Sequence, residues 1–293
     1  MIRSGLTRIA IGLLFLLSLL PFGVLYVVSD FIFLVLYHVV KYRRPVVRMN
    51  LRNAFPEKTE AECAEIEEAY YRYLSDLIVE CVKMITIPYK EAAKHFVFLN
   101  PEVLHKYFAD GKSVILAAGH YGNWEMAATI GSLTDKKALV IYKPLASGIY
   151  EDFTRKVRSR FGAVMVPMKL TLRKIAEFRR EPSISVFLSD QTPVKHETQF
   201  FTSFLNQPTA VFLGIEKIAK TTNYPVVFCD VRVVKRGYYS CNFVPLVENP
   251  AEMKEHEITE AHVRCLERLI IREPRYWLWS HRRWKFRPED YKR

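Results

Sequence analysis

An uncharged, strongly apolar run near the beginning of the chain constrains the fold most. Residues 9–28 carry no charge, and Asp30 is the only aspartate, glutamate, lysine or arginine between Arg8 and Lys41. A helix needs about 20 apolar residues to cross a bilayer, so the run predicts a membrane anchor. Pro21 interrupts it, because proline cannot continue the helical hydrogen bonding. Two interpretations are therefore open. One is a helix across the membrane followed by an interfacial helix around residues 31–40, and the other is a shallow hairpin.

A secretory signal peptide is the alternative interpretation of this run. The sequence YHVVKYRRP follows it, however, rather than a small-residue cleavage site, so we expect the anchor to be retained. Basic residues then cluster just past the apolar stretch, where each could gain about 1 kcal/mol from anionic lipid headgroups; they are Lys41, Arg43, Arg44, Arg48 and Arg52. We predict an anchor with its basic segment at residues 1–45 and a second unit at residues 46–293.

The charge balance limits the possible partners. Lysine and arginine number 43 against 31 acidic residues, a net charge of +12, which favours nucleic acid, an anionic membrane, an acidic carrier protein or a phosphorylated substrate. Beside an apolar anchor, the excess is best explained by a membrane, and we expect no nucleic-acid partner. The five cysteines are widely spaced and form no zinc-type cluster, which favours reduced thiols in a cytosol-facing domain without a metal.

The rest of the chain predicts an α/β fold. A capping box at Thr59 and Glu62 opens a helix that should run to about Ile85. Five later apolar runs predict strands, at residues 113–118, 138–142, 163–167, 183–188 and 225–231. Helical patterns lie between them, near residues 123–132, 150–161, 170–180 and 210–220. We therefore expect a central, mostly parallel sheet flanked by helices, with active groups at the carboxyl ends of its strands.

A histidine five residues before an acid is weak evidence, because the sequence contains this spacing three times. The pairs are His105 with Asp110, His120 with Glu125 and His262 with Glu267. His105 lies in a polar segment and His262 in a charged helical stretch, so both are expected to be solvated and structural. Only His120 directly follows an apolar strand.

The surroundings of His120 favour acid–base chemistry. Glycines flank it at positions 119 and 122, and Asn123 could cap the next helix. Backbone amides near Gly122 and Asn123 could then stabilise an oxyanion. Glu125 could hold Nδ1 of the imidazole and leave Nε2 to accept a proton, which suits an ordinary histidine pKa of about 6.5. A histidine that only caps a strand-to-helix turn would give the same pattern.

Other chemistries lack their motifs. The sequence has no GxSxG nucleophile elbow and no glycine-rich dinucleotide fingerprint, and Lys106 stands where a P-loop ending at Ser113 would need glycine. No cysteine is close to His120 in the sequence. The hypothesis is therefore a base that activates the acceptor directly, without a covalent nucleophile or cofactor.

Three segments together resemble the bacterial late acyltransferases of lipid A biosynthesis, in the lysophospholipid acyltransferase superfamily. They are the anchor, GHYGNWE at residues 119–125 and WLWSHRRWK at residues 277–285. The histidine-x4-acid pattern is typical of the superfamily, whereas WLWSHRRWK and the Ser-Asp-Gln at 189–191 are typical of the lipid A branch. The resemblance implies acyl transfer from acyl carrier protein to a hydroxyl of a lipid A precursor. It places the enzyme at the inner membrane, with its catalytic domain facing the cytoplasm.

The resemblance also implies roles for individual residues. His120 would be the general base and Glu125 its orienting partner. Lys143 and Arg158 match basic family positions, and with Arg155 they would grip phosphate or the acyl donor, although this block could equally be a solvated helix face. Asp190 matches a position near the histidine, where it would share the orienting role or bind the acceptor. Asn123 completes the predicted substrate-binding set.

Two features leave the acceptor and the reaction open. Around residues 195–208 the chain reads Gln-Phe-Phe-Thr-Ser-Phe where a Phe-x-Pro-x-Phe-like block is usual. In the C-terminal segment we expect the tryptophans at 277, 279 and 284 to be packing residues, and Arg282, Arg283 and Lys285 to be exposed. The alternatives are an acyltransferase for another glycerolipid or an amino-acid lipid, and a noncatalytic membrane protein that binds lipid.

Overall fold

The computed structural model describes residues 2–144, 148–194, 198 and 200–291. Within these ranges the α-helices are α1 Ile2–Ser18, α2 Phe22–Leu34, α3 Arg44–Ala54, α4 Glu60–Lys83, α5 Tyr89–His95, α6 Glu102–Ala109, α7 Gly148–Ser159, α8 Thr171–Glu177, α9 Gly214–Thr222 and α10 Glu257–Arg272. The strands are β1 Phe96–Phe98, β2 Val114–Ala118, β3 Lys137–Tyr142, β4 Ala163–Pro167, β5 Ser183–Leu188, β6 Phe200–Phe204, β7 Gln207–Val211, β8 Val226–Lys235 and β9 Tyr238–Val247.

Seven strands form one mostly parallel sheet flanked by helices, which confirms the predicted fold class. Their order is β1-β9-β8-β2-β5-β3-β4. The five strands from β8 to β4 are parallel to one another. Strand β9 is antiparallel to β8, and β1 is parallel to β9. The carboxyl ends of β2, β5, β3 and β4 therefore lie along one edge.

Each of the five predicted strands is present, but the sequence analysis missed four others. Strand β9 is the antiparallel partner of β8, β1 spans only three residues, and β6 and β7 form a separate hairpin. The hairpin turns at Leu205 and Asn206, both with positive φ. Strand β7 overlaps the beginning of the helix predicted at 210–220, which in the structure begins at Gly214.

The helix predicted at 123–132 is a 3-10 helix, Met126–Ser132. The long helix predicted to begin at the capping box is confirmed as α4. Thr59 Oγ1 accepts a hydrogen bond from the Glu62 backbone N–H at 3.3 Å, and the Glu62 carboxylate accepts one from the Thr59 N–H at 2.8 Å. Both interactions satisfy amides that a helix N-terminus otherwise leaves unpaired.

Pro21 divides the apolar N-terminus into two helices. Helix α1 ends at Ser18, and α2 begins directly after Pro21 and continues through a π-helical turn, Val35–Val39. In the described part of the chain one helical stretch, Phe22–Val39, is long and apolar enough to cross a membrane. The candidate span is thus displaced from residues 9–28. The separate interfacial helix around residues 31–40, one of the two interpretations of the sequence, is not formed, because those residues continue α2.

Helix α2 packs against the body of the protein through one face. Leu25, Ser29 and Phe33 are buried on it. Asp30, the single acid of the apolar region, pairs with Arg236 from the turn between β8 and β9 at 2.6 Å, and Arg236 also pairs with Asp76 on α4. These ion pairs join α2 to α4 and the sheet.

Four arginines of the basic segment after α2 have partners within the chain. Arg44 and Arg48 both pair with the buried carboxylate of Glu67, at 2.6 and 2.7 Å. Arg43 donates to the carbonyl of Ser280 at 3.0 Å, and Arg52 pairs with Glu60. Contact of this segment with anionic lipid stays a prediction, and these internal partners compete with it.

Glu80 on α4 connects three parts of the fold from a fully buried position. Its carboxylate accepts hydrogen bonds from Tyr239 on β9 at 2.6 Å, Asn123 after β2 at 2.7 Å and Tyr26 on α2 at 3.0 Å. Burial raises the pKa of Glu80 to about 7, and the three hydrogen bonds oppose this rise.

The raised pKa of Glu80 makes folding stability depend on pH. As pH rises from about 4.5 to 7, the unfolded chain loses this proton while the folded chain keeps it, so stability falls by an amount on the order of 3 kcal/mol. The substitution Glu80→Gln keeps the size and shape of the side chain but removes its ionisable group. Denaturant unfolding of both proteins between pH 4 and 8 should show a smaller decline in the variant; parallel declines would contradict the assignment.

Candidate active site

His120 and Asp190 lie just past the carboxyl ends of two adjacent parallel strands. Strand β2 ends at Ala118 and β5 at Leu188, and these two residues are paired in the sheet. The pairing continues one step further, because the Ser189 N–H donates to the Ala118 carbonyl at 3.2 Å. The register of the sheet therefore brings together two side chains that are 70 positions apart.

A short hydrogen bond joins the two side chains. His120 Nδ1 lies 2.6 Å from Asp190 Oδ1, while Asp190 Oδ2 accepts from the His120 backbone N–H and from Trp277 Nε1, each at 2.8 Å. Burial alone would raise the pKa of Asp190, but His120 and these hydrogen bonds lower it to about 2. Asp190 is thus a fixed carboxylate, and it holds the proton of His120 on Nδ1.

The other imidazole nitrogen is the one that can take up a proton. His120 Nε2 lies 3.2 Å from Nε2 of Gln191, whose side chain is exposed. The Trp124 ring stands edge-on to the imidazole, with 5.1 Å between ring centroids. Gln191 was not among the predicted site residues, although it belongs to the quoted Ser-Asp-Gln segment.

Glu125 does not hold His120 in this structure, which corrects the expected pairing. Its carboxylate forms a two-pronged ion pair with Arg158 on α7, in which Arg158 Nε lies 2.7 Å from Glu125 Oε2 and Nη2 contacts Oε1. Asp190 already occupies Nδ1. Burial lowers the pKa of Arg158, but Glu125 outweighs this and raises it overall, so the arginine stays charged.

Asn123 and Gly122 build the turn instead of facing a substrate. The fully buried Asn123 accepts a hydrogen bond from the Met126 N–H at 2.9 Å, as a cap does, and its amide donates to Glu80. The Gly122 N–H donates to the Tyr276 carbonyl at 3.1 Å. The Asn123 side chain, predicted to contact substrate, is therefore already hydrogen-bonded within the protein. The Gly122 N–H, predicted to stabilise an oxyanion, is likewise already hydrogen-bonded.

Gly122 has a backbone conformation that favours glycine, with φ at +58°. A Cβ atom there would approach Val231 on β8 to 2.8 Å. Tyr73 on α4 donates its hydroxyl proton to the Gly122 carbonyl from the other side. The turn after His120 is thus clamped between α4 and the sheet.

The remaining predicted binding residues lie nearer the surface. Lys143 is exposed directly after β3, on the edge that carries His120 and Asp190. Arg155 is exposed on α7 and pairs with Asp152 of the same helix at 2.8 Å. Of the basic residues predicted here, Arg158 is the one that the structure joins to the GHYGNWE turn.

The C-terminal segment packs around the turn that carries Asp190. Trp277 and Trp279 are fully buried and nearly perpendicular, 4.8 Å between centroids, which confirms their packing role. Thr192 donates through its N–H to His281 Nε2 at 3.1 Å and through its hydroxyl to the Arg283 carbonyl at 2.8 Å. The hydrogen bond from Trp277 to Asp190 was not predicted.

Two residues expected at the surface are buried. Arg283 is only 3% exposed, whereas its neighbours Arg282 and Lys285 are exposed as predicted. His262 is buried in α10, and burial lowers its pKa to about 4 against the opposing effect of Glu216. His105 is exposed as expected. The charged residues around His262 favoured an exposed helix, but His262 lies on the buried, apolar face of α10.

The described ranges contain no group of three or more His, Cys, Asp or Glu side chains placed to hold a metal. The segment at 195–208 that departs from the usual block lies partly outside the described residues, and its described part forms β6 and the beginning of β7.

Comparison with known proteins gives one consistent family. The family model of the bacterial lipid A biosynthesis acyltransferases matches residues 1–286. The chain is 24% identical to a lipid A biosynthesis palmitoleoyltransferase of Escherichia coli K12, over 98% of this chain and 93% of that protein, and equally to a lipid A biosynthesis acyltransferase of Shigella flexneri. A lipid A biosynthesis acyltransferase of Haemophilus influenzae is 20% identical over 75% of this chain and 69% of its own. The chain belongs to the bacterial lipid A biosynthesis acyltransferase family.

Proposed function

We propose that this enzyme transfers a fatty acyl group from acyl carrier protein to a hydroxyl of a lipid A precursor, with His120 as the general base. Family membership supplies the reaction class. The observation that carries the mechanism is the 2.6 Å contact between His120 Nδ1 and the ionised Asp190. It fixes the imidazole so that Nε2 can accept a proton.

In this mechanism Nε2 of His120 removes the proton of the acceptor hydroxyl as its oxygen attacks the thioester carbonyl of the donor. Asp190 stabilises the imidazolium that forms. When the tetrahedral intermediate collapses, the carbon–sulfur bond breaks and the imidazolium returns the proton to the leaving thiolate. The acyl group then forms an ester with the acceptor oxygen.

Gln191 is the side-chain donor in contact with Nε2 of His120. Its amide lies 3.2 Å from Nε2 of His120 and is exposed, so an arriving hydroxyl can displace it. The amide would then lie beside the thioester carbonyl and donate to the developing oxyanion. This assignment replaces the Gly122 amide, which the Tyr276 carbonyl already engages.

Basic side chains along the same edge support anionic substrates. Arg158 retains about a third of its side-chain exposure beside Glu125, and Lys143 and Arg155 are exposed. A planar guanidinium matches phosphate oxygens in two parallel hydrogen bonds. We assign these residues to the phosphate of the precursor or to the acidic carrier protein.

Exposed apolar surface on α1 and α2 supports a membrane location. Side chains that are more than two-fifths exposed occur along both helices, including Leu6, Ile9, Leu13, Leu16, Val27 and Phe31. Soluble proteins seldom expose contiguous apolar surface of this kind. The proposal places the enzyme at the inner membrane, with the α/β body on the cytoplasmic side.

The substrate assignment has a direct test. Lipid A from cells with and without the gene should differ in mass by one fatty acyl chain. The purified enzyme should acylate a lipid A precursor with acyl carrier protein as donor. If the enzyme acylates a glycerolipid or an amino-acid lipid instead, that lipid is the acceptor and the proposed one is wrong. Lipid binding without His120-dependent turnover would identify a noncatalytic protein.

The catalytic pair predicts matched losses of activity. His120→Ala removes the base and Asp190→Asn removes the carboxylate that holds it, so each should lower kcat by about 10²-fold to 10⁴-fold. The measurement is initial rates of acyl transfer with purified protein. His105→Ala is the control, since this exposed histidine has the same spacing to an acid; near-normal turnover of His120→Ala would refute the mechanism.

The Arg158 assignment predicts a selective substrate defect. Arg158→Ala should lower kcat/KM by about 10-fold to 100-fold through KM for one substrate, because it removes charge-assisted hydrogen bonds. Arg158→Lys should recover only part of this loss, since lysine lacks the planar fork. Rates should be measured against donor and acceptor separately, with thermal melting to check folding. Lys156→Ala, an exposed cation on the same helix, should leave both KM values unchanged, and equal behaviour of Arg158→Ala would exclude Arg158 from binding.

The apolar face of α2 predicts loss of membrane retention when charged. Val27 and Phe31 are 69% and 66% exposed one turn apart, and a lysine within the bilayer costs about 2.5–3.5 kcal/mol. The double variant Val27→Lys/Phe31→Lys should be extracted by alkaline carbonate more readily than the parent protein. Ile271→Lys, an exposed apolar position on α10, is the control; equal extraction of all three proteins would argue against insertion of α2.

A further inference from the structure

Arg283 is a buried cation with an unusual environment. Among the described residues, Nε and Nη1 of its guanidinium have no hydrogen-bond partner, although the side chain is almost completely buried. Burial lowers the pKa of Arg283 to about 10, and the negative charge of Asp190 opposes this, so the group is charged at neutral pH. A buried charge without full hydrogen bonding destabilises a fold, and natural proteins retain such groups chiefly where they serve a function.

Arg283 lines a small cavity on the side of Asp190 that faces α10. The cavity is also bounded by Ser189, His262 and the apolar side chains of Phe204 and Leu266. It offers about 10 Å³, the room of one water molecule. Nε2 of His262 is likewise buried without a partner among the described residues. A water held here would have polar partners on several sides.

The charges around this cavity are simple to count. Of the side chains that line it, Arg283 is the cation and Asp190 the anion, while His262 is neutral near pH 7 because its pKa is about 4. His281 also faces the pair, and burial lowers its pKa to about 4 as well. The charges of Glu125 and Arg158 offset each other. Further out, Glu216 acts on His262 and Arg43 acts on His281. Among the side chains that line the cavity, Arg283 is the cation that accompanies the carboxylate of Asp190.

We propose that Arg283 is a positioning residue, which acts through Asp190 and the adjoining cavity to keep His120 neutral and ready to accept a proton. A buried carboxylate beside an imidazole favours the protonated ring, and a protonated ring cannot serve as a base. The guanidinium of Arg283 opposes that protonation, and its charge is weakly screened because Arg283 and Asp190 are both buried. This inference rests on the proposed function of His120.

The test compares Arg283→Met, Arg283→Lys and the control Arg282→Met, which removes an exposed arginine next in sequence. In purified full-length protein, Arg283→Met should lower kcat at pH 7 about 10-fold with little change in KM. It should also shift the midpoint of the acidic limb of the pH–rate profile to a higher pH, by about one unit. Arg283→Lys and Arg282→Met should lie within about threefold of the parent enzyme.

Stability and a substrate-free titration separate this role from a structural one. Replacing the guanidinium with an apolar side chain removes its unmade hydrogen bonds but leaves Asp190 without this countercharge, so the Tm of Arg283→Met serves as the folding control and the titration as the readout. NMR titration of the His120 ring, assigned with His120→Ala, should show a higher midpoint in Arg283→Met. This result does not depend on the substrate, so it stands even if the proposed acyl transfer fails. An unchanged midpoint, or parallel losses of Tm and activity in the Met and Lys variants, would overturn the inference.

Discussion

The hydrogen bond between His120 and Asp190 is the interaction on which the arrangement of the site depends. It exists because β2 and β5 are neighbours in register, so that the residues following each strand meet at the same edge. Neither side chain could be held there by its own turn alone. The second oxygen of Asp190 is saturated by the His120 backbone and by Trp277, which ties the C-terminal segment to the base. Helix α4 supports the opposite side through Tyr73 and Glu80.

The two carboxylates near His120 illustrate how environment divides roles between like groups. Asp190 is buried and accepts three N–H groups, so its charge acts on the imidazole. Glu125 meets the two-pronged guanidinium of Arg158, so its charge serves to hold α7 against the turn. A histidine-x4-acid pattern therefore need not denote a hydrogen-bonded pair. Here the acid holds an arginine of α7 against the turn that follows His120.

Much of the sheet could be predicted from the sequence, because buried parallel strands appear as short apolar runs between helical patterns. His120 could be predicted for the same reason, since it follows one of these runs between two glycines. The partner of His120 could not, because the order of strands in the sheet is a nonlocal property and spacing along the chain favoured Glu125. Asn123 was misassigned for a related reason. The local pattern indicated that its side chain stabilises the following turn, as its hydrogen bond from the Met126 N–H does, but its amide donates to Glu80, 43 positions away. Arg283 was misassigned because a basic cluster gives no sign of which member turns inward.

Hydrogen bonds through Glu80 connect the apolar helix α2 to the candidate site. Tyr26 on α2 donates to one oxygen of Glu80, and Asn123 in the turn after His120 donates to the other. Two hydrogen bonds thus separate the candidate membrane span from the loop that carries the base. Asp30 and Arg236 add an ion pair on the same side of the molecule. In the proposed reaction, with a membrane lipid as acceptor and a soluble carrier as donor, His120 would need a fixed position relative to the bilayer. Glu80 joins α2 to the turn that follows His120 from inside the protein, a link that an apolar side chain at this position could not make.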